Sequence, residues 1–299
     1  MLADQETGPS TGSTKRKAAD MGPSDFGTRP AKSLSVIVPT CNNANVVART
    51  LRSVEDAVAF LRGRPKYADF GSEVVVVDDG SQDGTRQAVE EWTRGKSLYK
   101  VVLRSESSSP SCSRNTGAAC STGDLLFFLD GDDVFLERHL FDCVDAFDRD
   151  GEAAFVKTGV ELSDPVHPTW KDRVANSLVI NLAVRRRCHE LVGGFPDVHL
   201  FERRGDVFNH RTDVFRMFED VFYNKLLATF FRGVGLAAET VRYHRYPGNA
   251  FDRQYARFQM PVGEHGDDLD DEGRFRVKLC HILMDRRIQM INKKVFHDR

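Results

Sequence analysis

The chain has 299 residues, 40% of them hydrophobic and 29% charged, with a formal net charge of -2. That suffices for one sizeable core or two small ones in a soluble globular protein, and it excludes the broad basic field that grips a nucleic-acid backbone, so no nucleic-acid partner is expected. The six cysteines lack CxxC spacing, which argues against a zinc site or a disulfide framework. With no apolar run of the roughly 18 to 20 residues a bilayer requires and no secretory-signal core, a cytoplasmic location is expected, with peripheral membrane contact possible.

Residues 1–32 are rich in Gly, Ser, Thr, Pro and charge and carry no apolar periodicity, so they read as a disordered tail. Its Lys15-Arg16-Lys17 cluster is more simply solubilising than a nuclear address. Leu34 to Val38 predicts a strand, and Val46, Val47, Leu51, Val54, Val58 and Leu61 a helix behind it. Val74 to Val77 predicts a second strand, Ala88 to Trp92 a second helix, Tyr99 to Leu103 a third strand, Arg114 to Cys120 a short helix and Leu125 to Leu129 a fourth strand. Continuous apolar strands alternating with helices imply an α/β fold, a mostly parallel sheet covered on both faces.

Downstream, 139–147 predicts a helix and 153–160 and 177–184 further strands. A helix over 213–231 is predicted to bury Val214, Phe215, Phe218, Val221, Phe222 and the stem of Lys225. After Pro261 an acidic linker leads to an amphipathic helix over 275–291, expected to pack on its own domain. The expected organisation is a tail (1–32), one domain (33–260, with halves 33–135 and 136–260), then the linker and helix (261–299).

Two predicted strands end in acids, Asp78-Asp79 after the second and Asp130, Asp132 and Asp133 after the fourth. In open α/β sheets ligands bind beyond these carboxyl ends. Converging carboxylates call for a cation, and an oxygen-rich site suits Mg²⁺ or Mn²⁺, which commonly also take phosphate oxygens. The plainer reading is that Asp and Gly simply make the turns. A dinucleotide site would need GxGxxG after the first strand, where Pro39-Thr40-Cys41-Asn42-Asn43 stands, and no P-loop sequence occurs. Leu129-Asp130-Gly131-Asp132-Asp133 also resembles the first motif of haloacid-dehalogenase-like phosphatases, with Asp130 as nucleophile, although that motif belongs on the first strand of its fold.

Taken in order, Val36-Ile37-Val38-Pro39-Thr40, Val77-Asp78-Asp79-Gly80-Ser81, Ser113-Arg114-Asn115-Thr116-Gly117, Thr122-Gly123-Asp124 and Phe128 to Asp133 resemble the successive motifs of family 2 glycosyltransferases. Asn181 to Arg186, Val192-Gly193-Gly194-Phe195 and Phe218-Glu219-Asp220 resemble its acceptor-side and Glu-Asp segments. The resemblance, from about Ser33 to Asn249, implies a GT-A fold and inverting transfer from a nucleotide-diphosphate sugar, UDP-sugar favoured, to the hydroxyl of a glycan, lipid-linked or small-molecule acceptor. A non-catalytic nucleotide-sugar-binding protein is the alternative of a different class.

The resemblance implies that Pro39, Thr40 and Asp79 form the nucleobase pocket, with Asp130 at the ribose or metal, Asp132 on a Mn²⁺ or Mg²⁺ ion, Arg114 near the diphosphate and Asp220 as general base. On periodicity alone Asp220 falls opposite the apolar face of its helix and would be solvated. Cys41 stands where the family often has an aromatic residue. In Tyr243-His244-Arg245-Tyr246-Pro247-Gly248-Asn249 the histidine falls two places early, leaving His244 either a metal ligand or an ordinary loop histidine. A long insertion between Phe195 and Glu219 carries His199, Arg203, Arg204, His210 and Arg211, which suit a lid or an anionic acceptor.

Overall fold

A computed structural model describes residues 30–162, 166–196, 219–245, 255 and 271–293. Residues 1–29 of the tail, the insertion with its histidines and arginines, the segment 246–249 and residues 261–270 of the acidic linker lie outside the described residues.

The first half follows the expected alternation. Strand β1 (Ser33–Thr40) is buried from its second residue onward, as a central strand covered on both faces must be. Helix α1 (Val47–Arg62) buries Val47, Leu51, Val54, Val58 and Leu61, the i, i+4, i+7 stripe of an amphipathic helix. Strand β2 (Gly71–Asp78), helix α2 (Thr85–Thr93), strand β3 (Tyr99–Leu103), helix α3 (Pro110–Ala119) and strand β4 (Leu125–Phe128) complete it. Ser109 caps α3 by accepting from the Cys112 N–H at 3.2 Å, and Pro110 opens the helix where no intrahelical N–H is lost.

The second half supplies β5 (Val134–Phe135), α4 (His139–Arg149), β6 (Phe155–Leu162), α5 (Pro168–Ser177), β7 (Leu182–Arg185), α6 (Arg186–Val192), α7 (Glu219–Phe230), β8 (Gly233–Tyr243) and α8 (Asp271–Asn292). All eight strands form one sheet in the order β3-β2-β1-β4-β7-β6-β8-β5. The pairs among β1 to β4 are parallel, whereas β7 runs antiparallel to both β4 and β6. One core cluster joins α1 and α4 to one sheet face, and another joins α6, α7 and part of α8 to the other, as the mostly parallel, doubly covered sheet required.

Two expectations need correction. The strand expected over 177–184 is four residues long, because α5 continues to Ser177 and leaves β7 only Leu182–Arg185. Of the helix expected over 213–231, residues 213–218, with Val214, Phe215 and Phe218, lie outside the described residues; in α7 Phe222 is buried as expected, together with Tyr223, Leu226 and Leu227, while Val221 is 46% exposed and Lys225 faces solvent. The expected face is rotated, because apolar residues occupy most of the circumference of this helix and tertiary contacts choose among them. Tyr223 stacks on Phe195 with ring centroids 4.0 Å apart and its hydroxyl lies 2.6 Å from His189 Nδ1.

Candidate functional site

The carboxyl ends of β1, β2 and β4 open onto a cleft of about 480 Å³, lined by Pro39, Thr40, Cys41, Asp79, the serines 107–109 and the 130–132 turn. Parallel neighbours place these strand ends on one rim, so residues ninety positions apart share a cavity.

The acidic turn after β4 is held from below by α1. Thr50, buried in the helix face, donates to the Gly131 and Asp133 carbonyls at 3.0 and 2.8 Å, and Arg49 Nη2 donates to the Asp132 carbonyl at 3.0 Å. The Gly131 N–H reaches the Pro39 carbonyl at 3.0 Å. A Cβ at Gly131 would stand 2.6 Å from Thr40 Oγ1, so glycine lets the turn lie directly on the end of β1. Sequence reasoning missed Thr50, whose only signal is a hydroxyl within an otherwise apolar stripe.

Asp79 enters the cleft with its carboxylate engaged. Oδ2 accepts from Ser107 Oγ at 3.1 Å and the Ser108 N–H at 3.0 Å, while Oδ1 accepts from Ser108 Oγ at 3.3 Å and pairs with Arg104 Nε at 3.2 Å. In this state it shapes the serine loop that walls the cleft. Gly80, at φ +70°, allows the loop to close in, since a Cβ there would lie 2.6 Å from the Ser107 nitrogen. Asp78, by contrast, is fully buried, accepts from Ser81 Oγ and sits 3.5 Å from Arg86 Nε. It supports the turn from beneath.

Arg114 connects the two ends of the site. Its Nη2 donates to both oxygens of Asp130, at 2.7 and 3.0 Å, and its Nη1 donates to Asp220 Oδ1 at 2.8 Å. Burial pulls the Arg114 pKa down, but Asp130, Asp220 and Glu219 outweigh it and raise the guanidinium above its ordinary value. The next residue, Asn115, faces the segment that follows α6 instead. Its amide donates to the Phe195 carbonyl at 3.0 Å and accepts from the Phe195 N–H at 2.9 Å. Gly117 packs α3 on β1, where a Cβ would meet Ile37 Cγ2 at 2.4 Å. The neighbouring Arg, Asn and Gly therefore tie the turn after β4, the segment at Phe195 and the sheet together. Gly123 and Asp124 lie at the opposite end of the strands, where Asp124 accepts from the Lys32 N–H at 2.8 Å.

Asp220, expected to be solvated by periodicity, is turned inward and its side chain is 23% exposed. Burial raises its pKa, with Asp130 adding to the rise and Arg114 and Lys157 opposing it. Glu219 beside it is pushed up to about 8 by burial and by Asp220, and its Oε2 is buried without a hydrogen-bond partner among the described residues.

The donor set fits a divalent cation. Burial and Asp130 push Asp132 up to about 6, and burial with both neighbouring carboxylates raises Asp133 further, the repulsion a cation relieves. Strand β5 leaves this turn and pairs with the end of β8, Val134 opposite Arg242, and this brings the His244 N–H to Asp133 Oδ1 at 2.8 Å. His244 Nδ1 is buried with no partner among the described residues, and burial lowers its pKa, which favours the neutral imidazole that metals bind. Among the described residues no three His, Cys, Asp or Glu side chains stand together as a preassembled metal site. A cation held by these carboxylates would therefore need phosphate oxygens and water to complete its shell.

Comparison with known proteins agrees with this architecture. The sequence model described as glycosyl transferase family 2 matches residues 35–211. The chain is 30% identical over 194 residues to glycosyltransferase AglE of Haloferax volcanii, covering 58% of this chain and 61% of that one. It is 36% identical over 113 residues to the poly(ribitol-phosphate) beta-N-acetylglucosaminyltransferase TarP of Staphylococcus aureus, covering 37% and 32%. The chain thus spans less than two thirds of the length of these relatives. The crystal structure of S. aureus TarS 1-349 with UDP-GlcNAc superposes with a TM-score of 0.59 at 20% identity, over 89% of this chain and 73% of that one. A Pyrobaculum calidifontis mannosyltransferase with GDP-Man and Mn2+ gives 0.54 at 18% identity, over 90% and 75%. Both share the fold. Among the described residues no helix is long and apolar enough to cross a membrane.

Proposed function

This chain belongs to glycosyl transferase family 2, and on that premise we propose that it is an inverting transferase moving a sugar from a nucleotide-diphosphate donor to a hydroxyl acceptor. The observation that carries the proposal is the double engagement of Arg114, with Asp130 of the cleft on one side and Asp220 on the other. A donor-side acid and a candidate base are thereby kept at a fixed separation by one buried group.

In this proposal residues 33–135 form the donor half and 136–260 the acceptor half. Pro39, Thr40 and Asp79 belong to the nucleobase end of the cleft, with a UDP-sugar the favoured donor. The TarS structure holding UDP-GlcNAc supports that preference, and the mannosyltransferase holding GDP-Man keeps other bases within the test. Asp130 and Arg114 hold the ribose and diphosphate end. A Mn²⁺ or Mg²⁺ ion on Asp132, with Asp130 and His244, would neutralise charge developing on the diphosphate leaving group.

Asp220 takes the proton of the acceptor hydroxyl as that oxygen attacks the anomeric carbon. The bond from that carbon to the diphosphate breaks with its electron pair leaving on the phosphate oxygen. A single displacement inverts the anomeric centre. The raised pKa of Asp220 suits a base, while Arg114 keeps it ionised often enough to accept the proton. The acceptor is a glycan, a lipid-linked sugar or a small molecule.

Thermal unfolding with UDP-, GDP- and dTDP-sugars, each with and without Mn²⁺, tests the donor class. Metal-dependent stabilisation by at least one donor is expected, and none by any would overturn the reading. Family membership disfavours the phosphatase alternative. A nucleotide-sugar-binding protein without activity would share the stabilisation but release no nucleoside diphosphate.

A further inference from the structure

Lys157 lies within β6 and has no part in the chemistry above. Its ammonium donates to the Asn176 carbonyl at 2.8 Å, the Leu178 carbonyl at 2.9 Å and Asn224 Oδ1 at 3.1 Å. Asn224, in α7, donates in turn to the Ser177 carbonyl at 2.7 Å, the Leu178 carbonyl at 3.2 Å and the Asp220 carbonyl at 2.9 Å. Lys157 and Asn224 thus fasten the last carbonyls of α5 to the turn of α7 that begins with Asp220.

All three partners of Lys157 are acceptors. A neutral amine has two N–H groups and an ammonium three, so the arrangement calls for the charged form. Burial lowers the Lys157 pKa to about 7 and the field of Asp220 opposes that fall. The carbonyls ending α5 lie at the negative end of a helix dipole and offset part of the cost. What remains is a half-buried positive charge maintained near the candidate base, a costly arrangement for packing alone.

We propose that Lys157 is a positioning residue for Asp220, holding its helical turn through Asn224 and favouring its carboxylate through space. Among the described residues the charged groups facing Asp220 are Arg114 from α3, in contact, Asp130 after β4, the neighbouring Glu219, and Lys157 from β6. Arg114 is shared with Asp130, so among the described residues Lys157 is the cation whose influence on Asp220 is not divided with the cleft. The inference rests on Asp220 being the base.

The test compares Lys157→Met, which keeps much of the stem and removes the charge, with Lys157→Arg, which keeps the charge. The titration of Asp220 is followed by carbon-13 NMR of aspartate-labelled protein, its resonance identified by its loss in Asp220→Asn, and is independent of turnover. In Lys157→Met the Asp220 midpoint should rise by about one pH unit. Its kcat should fall about tenfold or more while donor KM stays within about twofold. Lys157→Arg should stay close to wild type in both. A folded Lys157→Met with unchanged midpoint and kcat would overturn the proposal, as would Lys157→Arg behaving like Lys157→Met. Should Lys157→Met fail to fold, Asn224→Ala, which cuts the link to the Asp220 carbonyl, must lower kcat at unchanged donor KM; unaltered turnover there refutes the positioning role. A shifted midpoint in a protein that turns over no donor would sink the transferase reading and leave the Lys157 relation standing.

Discussion

Arg114 donates to Asp220 at 2.8 Å across 106 positions of sequence, and the same guanidinium holds Asp130. Removing it would leave two acids facing each other around a void. Arg114→Ala is expected to destabilise the fold by about 3 kcal/mol or more, because breaking a buried pair strands its partner charges. It should also lower turnover at least about a hundredfold. Arg114→Lys cannot bind Asp130 in two-pronged fashion while reaching Asp220, and should recover stability better than activity. Denaturant unfolding beside steady-state kinetics decides this, and a stable, active alanine variant would show the bridge to be incidental.

Glu219 offers a pH signature. Its pKa in the folded protein is pushed up to about 8 from an ordinary 4.5, so between those values the native state holds a proton that the unfolded chain has released. Stability contributed by this group is therefore complete below the unfolded value and lost as pH rises toward the folded one. Glu219→Gln, a neutral isostere, should be nearly neutral to stability at pH 5 and stabilising by about 1 kcal/mol or more at pH 8. Urea unfolding at both pH values reads the difference, and a gain confined to pH 5 would contradict the assigned direction.

The turn carrying the acids depends on Thr50. Thr50→Val removes the hydroxyl that serves the Gly131 and Asp133 carbonyls and should cost about 1 to 3 kcal/mol for the polar groups left unpaired. Donor affinity should weaken with it, because the cleft wall is no longer fixed. Calorimetric titration with the stabilising donor checks the second effect. Unchanged affinity would mean that the turn holds its shape without α1.

Asp132→Asn should weaken the responses to Mn²⁺ and to nucleotide together, since one carboxylate is proposed to join them. The readout is donor-induced thermal stabilisation measured as a function of Mn²⁺. Loss of nucleotide response at unchanged Mn²⁺ response would move the metal to other residues.

The parallel half of the sheet was legible because Val36 to Val38, Val74 to Val77 and Leu125 to Phe128 are continuous apolar strands, a pattern few other structures produce. Motif order singled out Asp130, Asp132 and Asp220, two of which the fold brings onto Arg114, yet periodicity alone placed Asp220 in solvent. Helix α7 has apolar residues around most of its circumference, so the packing of Tyr223 on Phe195 and His189 settled its rotation. His244 was ambiguous in sequence because its proximity to Asp133 depends on β5 pairing with β8, a contact between segments more than a hundred residues apart. Lys157 left one signal, a charged residue between Val156 and Thr158, both of them buried, and its meaning required the positions of Asn176, Leu178 and Asn224. Asp79 was expected to read the base directly, whereas the fold shows its oxygens also organising Ser107 and Ser108.

The most direct test measures donor affinity and turnover together in Asp220→Asn. Arg114 retains Asp130, the cleft is otherwise untouched, and asparagine nearly matches aspartate in shape. Donor binding with Mn²⁺ should remain within a few-fold of wild type, while release of nucleoside diphosphate to acceptor falls by about a thousandfold or more, as expected when a general base acting in the transition state is removed. Turnover near the wild-type rate, or loss of donor binding in step with turnover, would contradict the assignment of Asp220 as the base.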